Sequence, residues 1–186
     1  KRAVELGQTI LSSCEHGWQD YYAECYELAK TYGLKMLFSA EAYWVKDRLE
    51  KDKTNCHIFL AAKNERGRQA LNDVLSEANI SGFYGRPRLD LPLLLSLPPD
   101  DIWCTSACIA GWLYEDADEL WNQLADHFGK NFYLEVQYHD CNFREDAPYA
   151  SQAALNAHVV ELSRQWGVPL IMGCDSHYIL PEDKQR

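Results

Sequence analysis

The stretch Val168-Pro169-Leu170-Ile171-Met172-Gly173-Cys174-Asp175-Ser176-His177 decides the fold class. Its first five residues, 168–172, form an apolar run of the length expected for a buried strand. Asp175 and His177 follow directly, and on an extended segment side chains two positions apart point the same way. A long helical pattern over 147–166 precedes this strand and stops at Gly167. A helix, a strand and polar residues at the strand end form the repeating unit of an α/β fold.

The same alternation runs through the rest of the chain and predicts a largely parallel sheet. The predicted strands before the last one cover 9–13, 35–38, 56–62, 102–105 and 132–137. The predicted helices before the last one cover 18–32, 64–78, 89–95 and 116–127. The chain shows no internal repeat or low-complexity tract, so we expect one domain over 1–186.

Composition excludes several classes of protein. The 186 residues are 47% hydrophobic and 12% aromatic, which is typical of a globular domain. No apolar run approaches the roughly 18 residues that span a bilayer, and no signal peptide opens the chain. Seven cysteines without a CxxC pair disfavour a disulfide framework and indicate a reducing, cytoplasmic compartment. Because the first residue is Lys1, we expect the sequence to begin inside a longer one.

The formal charge is −10, from 28 acidic and 18 basic residues. A domain that grips nucleic acid mainly by electrostatic attraction is usually basic, so this balance argues against bulk DNA binding. It leaves open a small acidic pocket that recruits metal ions, which then bind phosphate.

Side chains with metal-binding donor atoms follow the predicted strands at their carboxyl ends or, in one case, stand at a strand's start. Strand ends of α/β sheets converge on one rim, and that rim carries the chemistry. Each of these residues alone is also compatible with a hydrogen-bonded turn, a core position or plain solvent exposure; their joint placement is the signal. The set is His16, Glu41, His57, Cys108, His139, Asp175 and His177.

Imidazole, thiolate and carboxylate ligands together suit zinc, manganese or iron better than magnesium, which prefers oxygen ligands. More than four such groups on one rim imply two or more metal ions. Paired ions can activate water and clamp a phosphoryl group during in-line displacement.

The motifs that carry these residues resemble those of a known family. Cys14-Glu15-His16-Gly17 is similar to the motif Thr-Asp-His-Gly, and Ala40-Glu41-Ala42-Tyr43 is similar to Cys-Glu-Ala-Tyr. The strand at 56–64 resembles a Tyr-His-Leu strand that ends in Leu-Ala-Lys-Asn. Gly82 to Asp90 is similar to a Gly-Phe-Tyr segment followed by Lys-Pro-Arg-Ile-Asp.

Three further segments complete the resemblance: Ser106-Ala107-Cys108, the strand at 131–137 with His139, and Asp175-Ser176-His177-Tyr178. Together the motifs resemble the polymerase-and-histidinol-phosphatase (PHP) domain of C-family bacterial polymerases, which opens the alpha subunit of replicative DNA polymerase III. The Gly-Phe-Tyr and Ser-Ala-Cys segments favour this branch over the stand-alone histidinol phosphatases.

The resemblance implies a PHP-type (β/α)7 barrel with a site for two or three divalent ions, zinc or manganese. It assigns metal binding to the seven residues above and catalytic roles to Glu15, His16 and Asp175. Arg88 becomes either a phosphate contact or a structural residue. The family's first strand carries a His-x-His pair that would lie upstream of Lys1, so we expect this chain to lack that strand. Glu15 also departs from the family's aspartate by one methylene.

Three functions follow from these observations. The first is a domain of a DNA polymerase III alpha subunit that acts as a metal-dependent 3′–5′ exonuclease on a DNA 3′ end, or braces the remaining polymerase domains and replisome subunits. The second is a free-standing phosphoesterase that hydrolyses a small phosphate ester. The third is a non-catalytic structural module of the polymerase. We expect no membrane association in any of the three.

Overall fold

The computed structural model describes residues 1–54, 56–114, 116–143, 145, 147–180 and 182–183. The predicted domain 1–186 includes residues outside these ranges, and its limits stay a prediction.

The elements alternate between strands and helices along most of the chain. The strands are β1 Ile10–His16, β2 Lys35–Trp44, β3 Cys56–Ala62, β4 Arg88–Leu89, β5 Ile102–Thr105, β6 Phe132–Gln137 and β7 Leu170–Gly173. The α-helices are α1 Arg2–Glu5, α2 Tyr22–Thr31, α3 Glu65–Ile80, α4 Leu91–Leu95, α5 Ala117–Phe128 and α6 Gln152–Trp166. Short 3-10 helices cover Ile109–Trp112 and Gly129–Asn131. The predicted α/β fold class is confirmed.

Several predicted boundaries differ from the observed ones. β1 and β2 run on to His16 and Trp44, so His16 and Glu41 lie within strands rather than after them. The last helix begins at Gln152 because Ser151 is extended and its side chain accepts a hydrogen bond from the backbone N–H of Ala154. Helix α2 begins at Tyr22 rather than at the predicted residue 18.

Six strands form one path in the order β1-β2-β3-β5-β6-β7, and β4 pairs with β2. The pairs β1–β2, β2–β4, β5–β6 and β6–β7 are parallel, as predicted for most of the sheet. β3 runs antiparallel to both β2 and β5. The described part of the link from β2 to β3 contains no helix, so this short connection returns the chain in the opposite direction. The amino end of β3 therefore lies at the rim where its neighbours β2 and β5 end.

The sheet curls around a cavity of about 440 Å³ that residues from both ends of the strand path line. Cys14 and His16 come from β1, and Ile171 and Met172 come from β7. Among the described residues, no strand pairing joins β1 to β7. Both edges carry exposed apolar side chains, including Ile10 at 52% and Met172 at 70% exposure. This geometry is that of a barrel left open between β1 and β7.

The hydrophobic core lies between the sheet and helices α3, α5 and α6. Ile58 and Leu60 of β3 are fully buried, as are Leu71 of α3 and Trp121 of α5. These contacts fix the sheet from its outer face and leave the inner face to the cavity. None of the helices in the described ranges is both long and apolar enough to span a membrane.

Gly111 packs closely against the backbone of Ser106 and His57, and this close approach yields a stability prediction. A Cβ at Gly111 would overlap the Ser106 carbonyl oxygen and lie 2.8 Å from the His57 carbonyl oxygen. Because backbone oxygens cannot rotate away, we expect Gly111→Ala to lower the free energy of unfolding by about 3 kcal/mol in urea titrations. At Gly33 a Cβ meets open space, and only its φ of +67° opposes alanine. Gly33→Ala should therefore cost about 1 kcal/mol. Equal losses for the two variants would contradict the packing assigned to Gly111.

Candidate metal centre

The Glu41 carboxylate is the centre of the candidate site. Nε2 of His16 lies 2.9 Å from Oε2 of Glu41, and Nδ1 of His57 lies 3.2 Å from Oε1. Glu41 is only 7% exposed. One ligand atom from each of these three residues lies within 4.8 Å of the other two. A buried carboxylate between two imidazoles is a ready set of metal ligands.

Strand register brings these three side chains together. His16 is the partner of Glu41 in the parallel pair β1–β2, and Tyr43 is the partner of His57 in the antiparallel pair β2–β3. Glu41 and Tyr43 are two positions apart and face the same side of β2. His57 can join the site only because β3 is reversed, which puts the amino end of that strand at this rim.

Cys108 joins this group from a strained turn after β5. We call His16, Glu41, His57 and Cys108 the inner cluster. Its Sγ lies 3.3 Å from Nδ1 of His57. Ala107 has a positive φ of 53°, which is unusual for a residue with a side chain. The backbone N–H of Ala107 donates to Oγ1 of Thr105 at 3.1 Å. Strain of this kind is concentrated at functional sites, and here it holds a thiol against an imidazole.

The electrostatics of the cluster depend on this proximity. Burial would raise the pKa of Glu41, but the hydrogen bond from His57 and the positive charges of His57 and His16 outweigh it and hold the pKa below its usual value. Burial and the nearby Glu41 charge raise the pKa of the Cys108 thiol. A bound cation reverses the second effect, because metal coordination deprotonates a thiol.

Asp175 and His177 approach the cluster from the far side of the cavity. Both line it, and the His177 ring centroid lies 6.0 Å from that of His16. Nδ1 of His177 donates to the Asp175 carbonyl oxygen at 2.8 Å. Asp175 has a positive φ of 44°, so the chain turns sharply after β7. The strand path thus brings the first and last predicted ligands within one cavity.

His57 contacts Glu41 and Cys108 without lining the cavity, and three further predicted site residues also lie outside the lining. His139 is exposed, and its Nε2 donates to Oε1 of the lining residue Gln137 at 3.2 Å. Glu15 alternates with His16 along β1, and its Oε2 accepts a 3.4 Å hydrogen bond from the Tyr21 backbone N–H. The roles predicted for His139 and Glu15 stay predictions.

The third residue, Arg88, is 3% exposed and bonds only to backbone in the described ranges. Its guanidinium donates to the carbonyl oxygens of Arg48, Glu50, Asp52 and Gly82 at 2.6–2.9 Å. Of the two predicted roles, this geometry favours the structural one, since these bonds tie the segment after β2 to the start of β4.

Glu135 is a cavity residue that the sequence reasoning missed. Its Oε2 accepts a hydrogen bond from Oγ1 of Thr105 at 2.7 Å, and its Oε1 accepts one from Nε2 of Gln137 at 2.9 Å. Burial raises the pKa of Glu135, and the nearby charges of Glu41 and Asp175 add to the effect. The period-2 alternation of β6 was the available signal, because it places Glu135 and Gln137 on one face.

The residues present fit a divalent ion with borderline-soft preferences. Two imidazoles, a buried carboxylate and a thiol are the donor set that zinc takes, and manganese accepts the nitrogen and oxygen part of it. Asp175 and His177 supply two more donors across the same cavity. The chemistry of the set, rather than any single distance, is what fits a divalent ion.

The cluster predicts a specific loss of metal affinity. We expect Glu41→Gln to weaken Zn²⁺ binding by more than about tenfold in competition with a chromogenic chelator, since the amide loses the central charge. Glu161→Gln is the matched control, because Glu161 is an exposed residue on α6 that pairs with Arg164. Equal affinity in the two variants would rule out Glu41 as the central ligand.

The raised pKa of Glu135 predicts a pH-dependent stability difference in the metal-free protein. A carboxyl whose pKa is higher in the folded state contributes stability at low pH and loses it as the pH rises through the folded pKa. Glu135→Gln removes this loss and keeps the side-chain shape. With a chelator present, we expect its melting temperature to exceed that of the parent by a few degrees at pH 8, with the gap closing towards pH 4.

Glu119→Gln, at an exposed position of α5, should show no such trend. A gap for Glu135→Gln that stays constant with pH would contradict the assigned cause.

Comparison with known proteins agrees with the geometry. The PHP domain family matches residues 1–139. The chain is 33% identical over 198 residues to the DNA polymerase III subunit alpha of Borreliella burgdorferi, covering 98% of the chain and 16% of that protein. It is 30% identical over 203 residues to the DNA polymerase III subunit alpha of Aquifex aeolicus, covering 99% and 17%. The chain thus spans about one-sixth of the length of these relatives.

A solved structure described as a putative metal-dependent phosphoesterase from Bifidobacterium adolescentis also matches, with a TM-score of 0.43 and 14% identity. The match covers 97% of this chain and 82% of that one, and it is too distant to carry an argument about the site. The family match is sufficient by itself: the chain belongs to the PHP domain family.

Proposed function

We propose that this chain is the N-terminal PHP domain of a bacterial replicative DNA polymerase III alpha subunit, working in the cytoplasm with the remaining polymerase domains and replisome subunits. The support is the similarity to two such subunits over nearly the whole chain and the order of the motifs. Nucleotide addition would belong to other parts of that protein.

We further propose that the domain is a metal-dependent phosphoesterase that removes nucleotides from a DNA 3′ end. The observation that carries this proposal is the convergence of His16, Glu41, His57 and Cys108 at one rim of a cavity that Asp175 and His177 also line. Perturbed, buried ionisable groups gathered in one cleft are typical of catalytic sites.

The inner cluster would hold one ion, and Asp175 with His177 would share a second across the cavity, with His139 near the rim. Ions bound there supply Lewis-acid stabilisation of phosphoryl oxygens and lower the pKa of water. The carboxylate of Glu41 orients His16 and His57, because each imidazole directs one ring nitrogen at it.

Asp175 is the residue best placed to accept the proton of the attacking water at its carboxylate. It lies at the cavity wall opposite the inner cluster, and its side chain is 28% exposed. Glu135 also lines the cavity, but both of its carboxylate oxygens already accept hydrogen bonds, from Thr105 and Gln137. A proton can therefore leave through Asp175 towards the cavity mouth.

We also propose that a strand from upstream of Lys1 pairs between β1 and β7 and closes the barrel. The support is the pair of unpaired edges with exposed apolar side chains on both sides of the cavity. Such a strand would cover Met172 and Ile10, and the family resemblance predicts that it carries two further imidazoles.

Metal content and cleavage test the proposed function together. We expect a chain extended upstream through the His-x-His pair to hold two or three Zn²⁺ or Mn²⁺ ions by elemental analysis and to shorten a primer strand from its 3′ end. His177→Ala should lose most of the cleavage and at least one ion, because its ring lies 6.0 Å from that of His16.

His127→Gln is the control, since Nε2 of His127 bonds to the Leu97 carbonyl oxygen and not to the site. Cleavage of p-nitrophenyl phosphate without cleavage of the primer would favour the small-ester alternative. If the 186-residue chain and the extended chain both held only trace metal, only the structural role would remain.

A further inference from the structure

Beside the metal centre lies a second polar and aromatic surface, formed by Trp18, Phe83 and Arg86 above the buried Tyr43. We call these residues the mouth surface. We propose that it binds single-stranded DNA next to the cleaved bond, with Arg86 on a phosphate and the Trp18–Phe83 pair against a base. The inference rests on the proposed phosphodiesterase function and names the residues that would select a strand over a small ester.

Arg86 is tied to the metal centre through one aromatic ring. Its guanidinium carbon lies 4.7 Å from the centroid of Tyr43. The Tyr43 ring in turn stacks on His16 at 6.1 Å and meets His57 edge-on at 5.3 Å. Tyr43 is 6% exposed, so it fixes Arg86 from below. The cation therefore stands a fixed, short distance from the cluster that would hold the cleaved phosphate.

Arg86 differs from the neighbouring arginines in having donors to spare. The Arg88 guanidinium donates its hydrogen bonds to four backbone carbonyl oxygens, and Arg48 forms an ion pair with Asp90 at 2.7 Å. Arg86 is exposed and forms no ion pair within the part of the chain that the structure describes. It also lines a cleft of about 420 Å³ together with Lys53. Two cations along one cleft can follow a phosphate backbone.

The aromatic pair sits at the other side of the same turn. Trp18 and Phe83 have ring centroids 6.4 Å apart and are 42% and 53% exposed. Gly17 holds Trp18 in place: its φ is +73°, its N–H donates to the Glu41 carbonyl oxygen at 2.8 Å, and a Cβ there would lie 2.8 Å from Pro87 Cγ. An added side chain would thus push the 83–87 segment away from the site.

Exposed aromatic faces beside an exposed guanidinium are the usual means of holding single-stranded nucleic acid without reading its sequence. A small phosphate ester offers no base for Trp18 and Phe83 and no second phosphate for Lys53. The overall charge of −10 does not oppose this, because the contacts needed are few and local. The surface also explains how an acidic domain could hold a strand end weakly and release it.

Binding without cleavage tests this proposal. Fluorescence anisotropy of a short 5′-labelled oligo-dT would be measured on the full chain in the presence of a chelator, so that hydrolysis plays no part. We expect Arg86→Gln to weaken binding about tenfold and to lower the salt dependence by about one phosphate contact. Trp18→Ala and Phe83→Ala should each weaken it about fivefold or more. With an abasic strand, the two aromatic variants should lose their effect, whereas Arg86→Gln should keep its own.

The controls are Tyr32→Ala, an exposed aromatic at the end of α2, and Arg164→Gln, an exposed arginine on α6. Binding by Arg86→Gln and Trp18→Ala that equals that of these controls would overturn the mouth surface, whether or not the domain cleaves DNA. The predicted losses in a protein that never cleaves DNA with metal present would instead refute the proposed catalysis alone.

Discussion

The Glu41 carboxylate contacts a ring nitrogen of His16 on one side, at 2.9 Å, and a ring nitrogen of His57 on the other, at 3.2 Å. These two contacts constrain the rest of the site. They require two strands that end at the same rim and a third that begins there. A uniformly parallel sheet would place His57 at the opposite end of the barrel. The reversed strand β3 is therefore a condition of the metal centre as well as a feature of the topology.

The same constraint sets the packing around it. Cys108 reaches His57 only because Ala107 takes a left-handed backbone conformation and Gly111 lets the chain pass against Ser106 and His57. Burial and the nearby Glu41 charge oppose ionisation of the Cys108 thiol, as its raised pKa reflects. A divalent cation removes that conflict by stabilising both anions at once. The burial of Glu41 and Cys108 side by side is therefore what a metal site requires.

The sequence predicted much of this arrangement. β3, β5 and β6 begin and end at the predicted residues, because each is a short apolar or alternating run with clear flanking breaks. The grouping of His16, Glu41, His57 and Cys108 could be predicted because each was placed at or beside a strand end, and strand ends of α/β sheets converge on one rim. The reversal of β3 could not be predicted, since the periodicity of one strand carries no information about the direction of its neighbours. Glu135 was missed because a polar residue on an inward face looks the same as one on a solvent face until the sheet curls. The role of Arg88 depends on four carbonyl oxygens that no motif encodes.

The most direct test of a metal centre built around Glu41, His57 and Cys108 is the visible and near-ultraviolet spectrum of the chain titrated with Co²⁺. The account predicts a tetrahedral ligand-field spectrum with a thiolate charge-transfer band, and loss of that band in Cys108→Ser while Cys104→Ser retains it, because Cys104 is fully buried in the core and lies outside the cavity lining. A spectrum of hexaaqua Co²⁺ at all concentrations, or a charge-transfer band that survives Cys108→Ser, would contradict it.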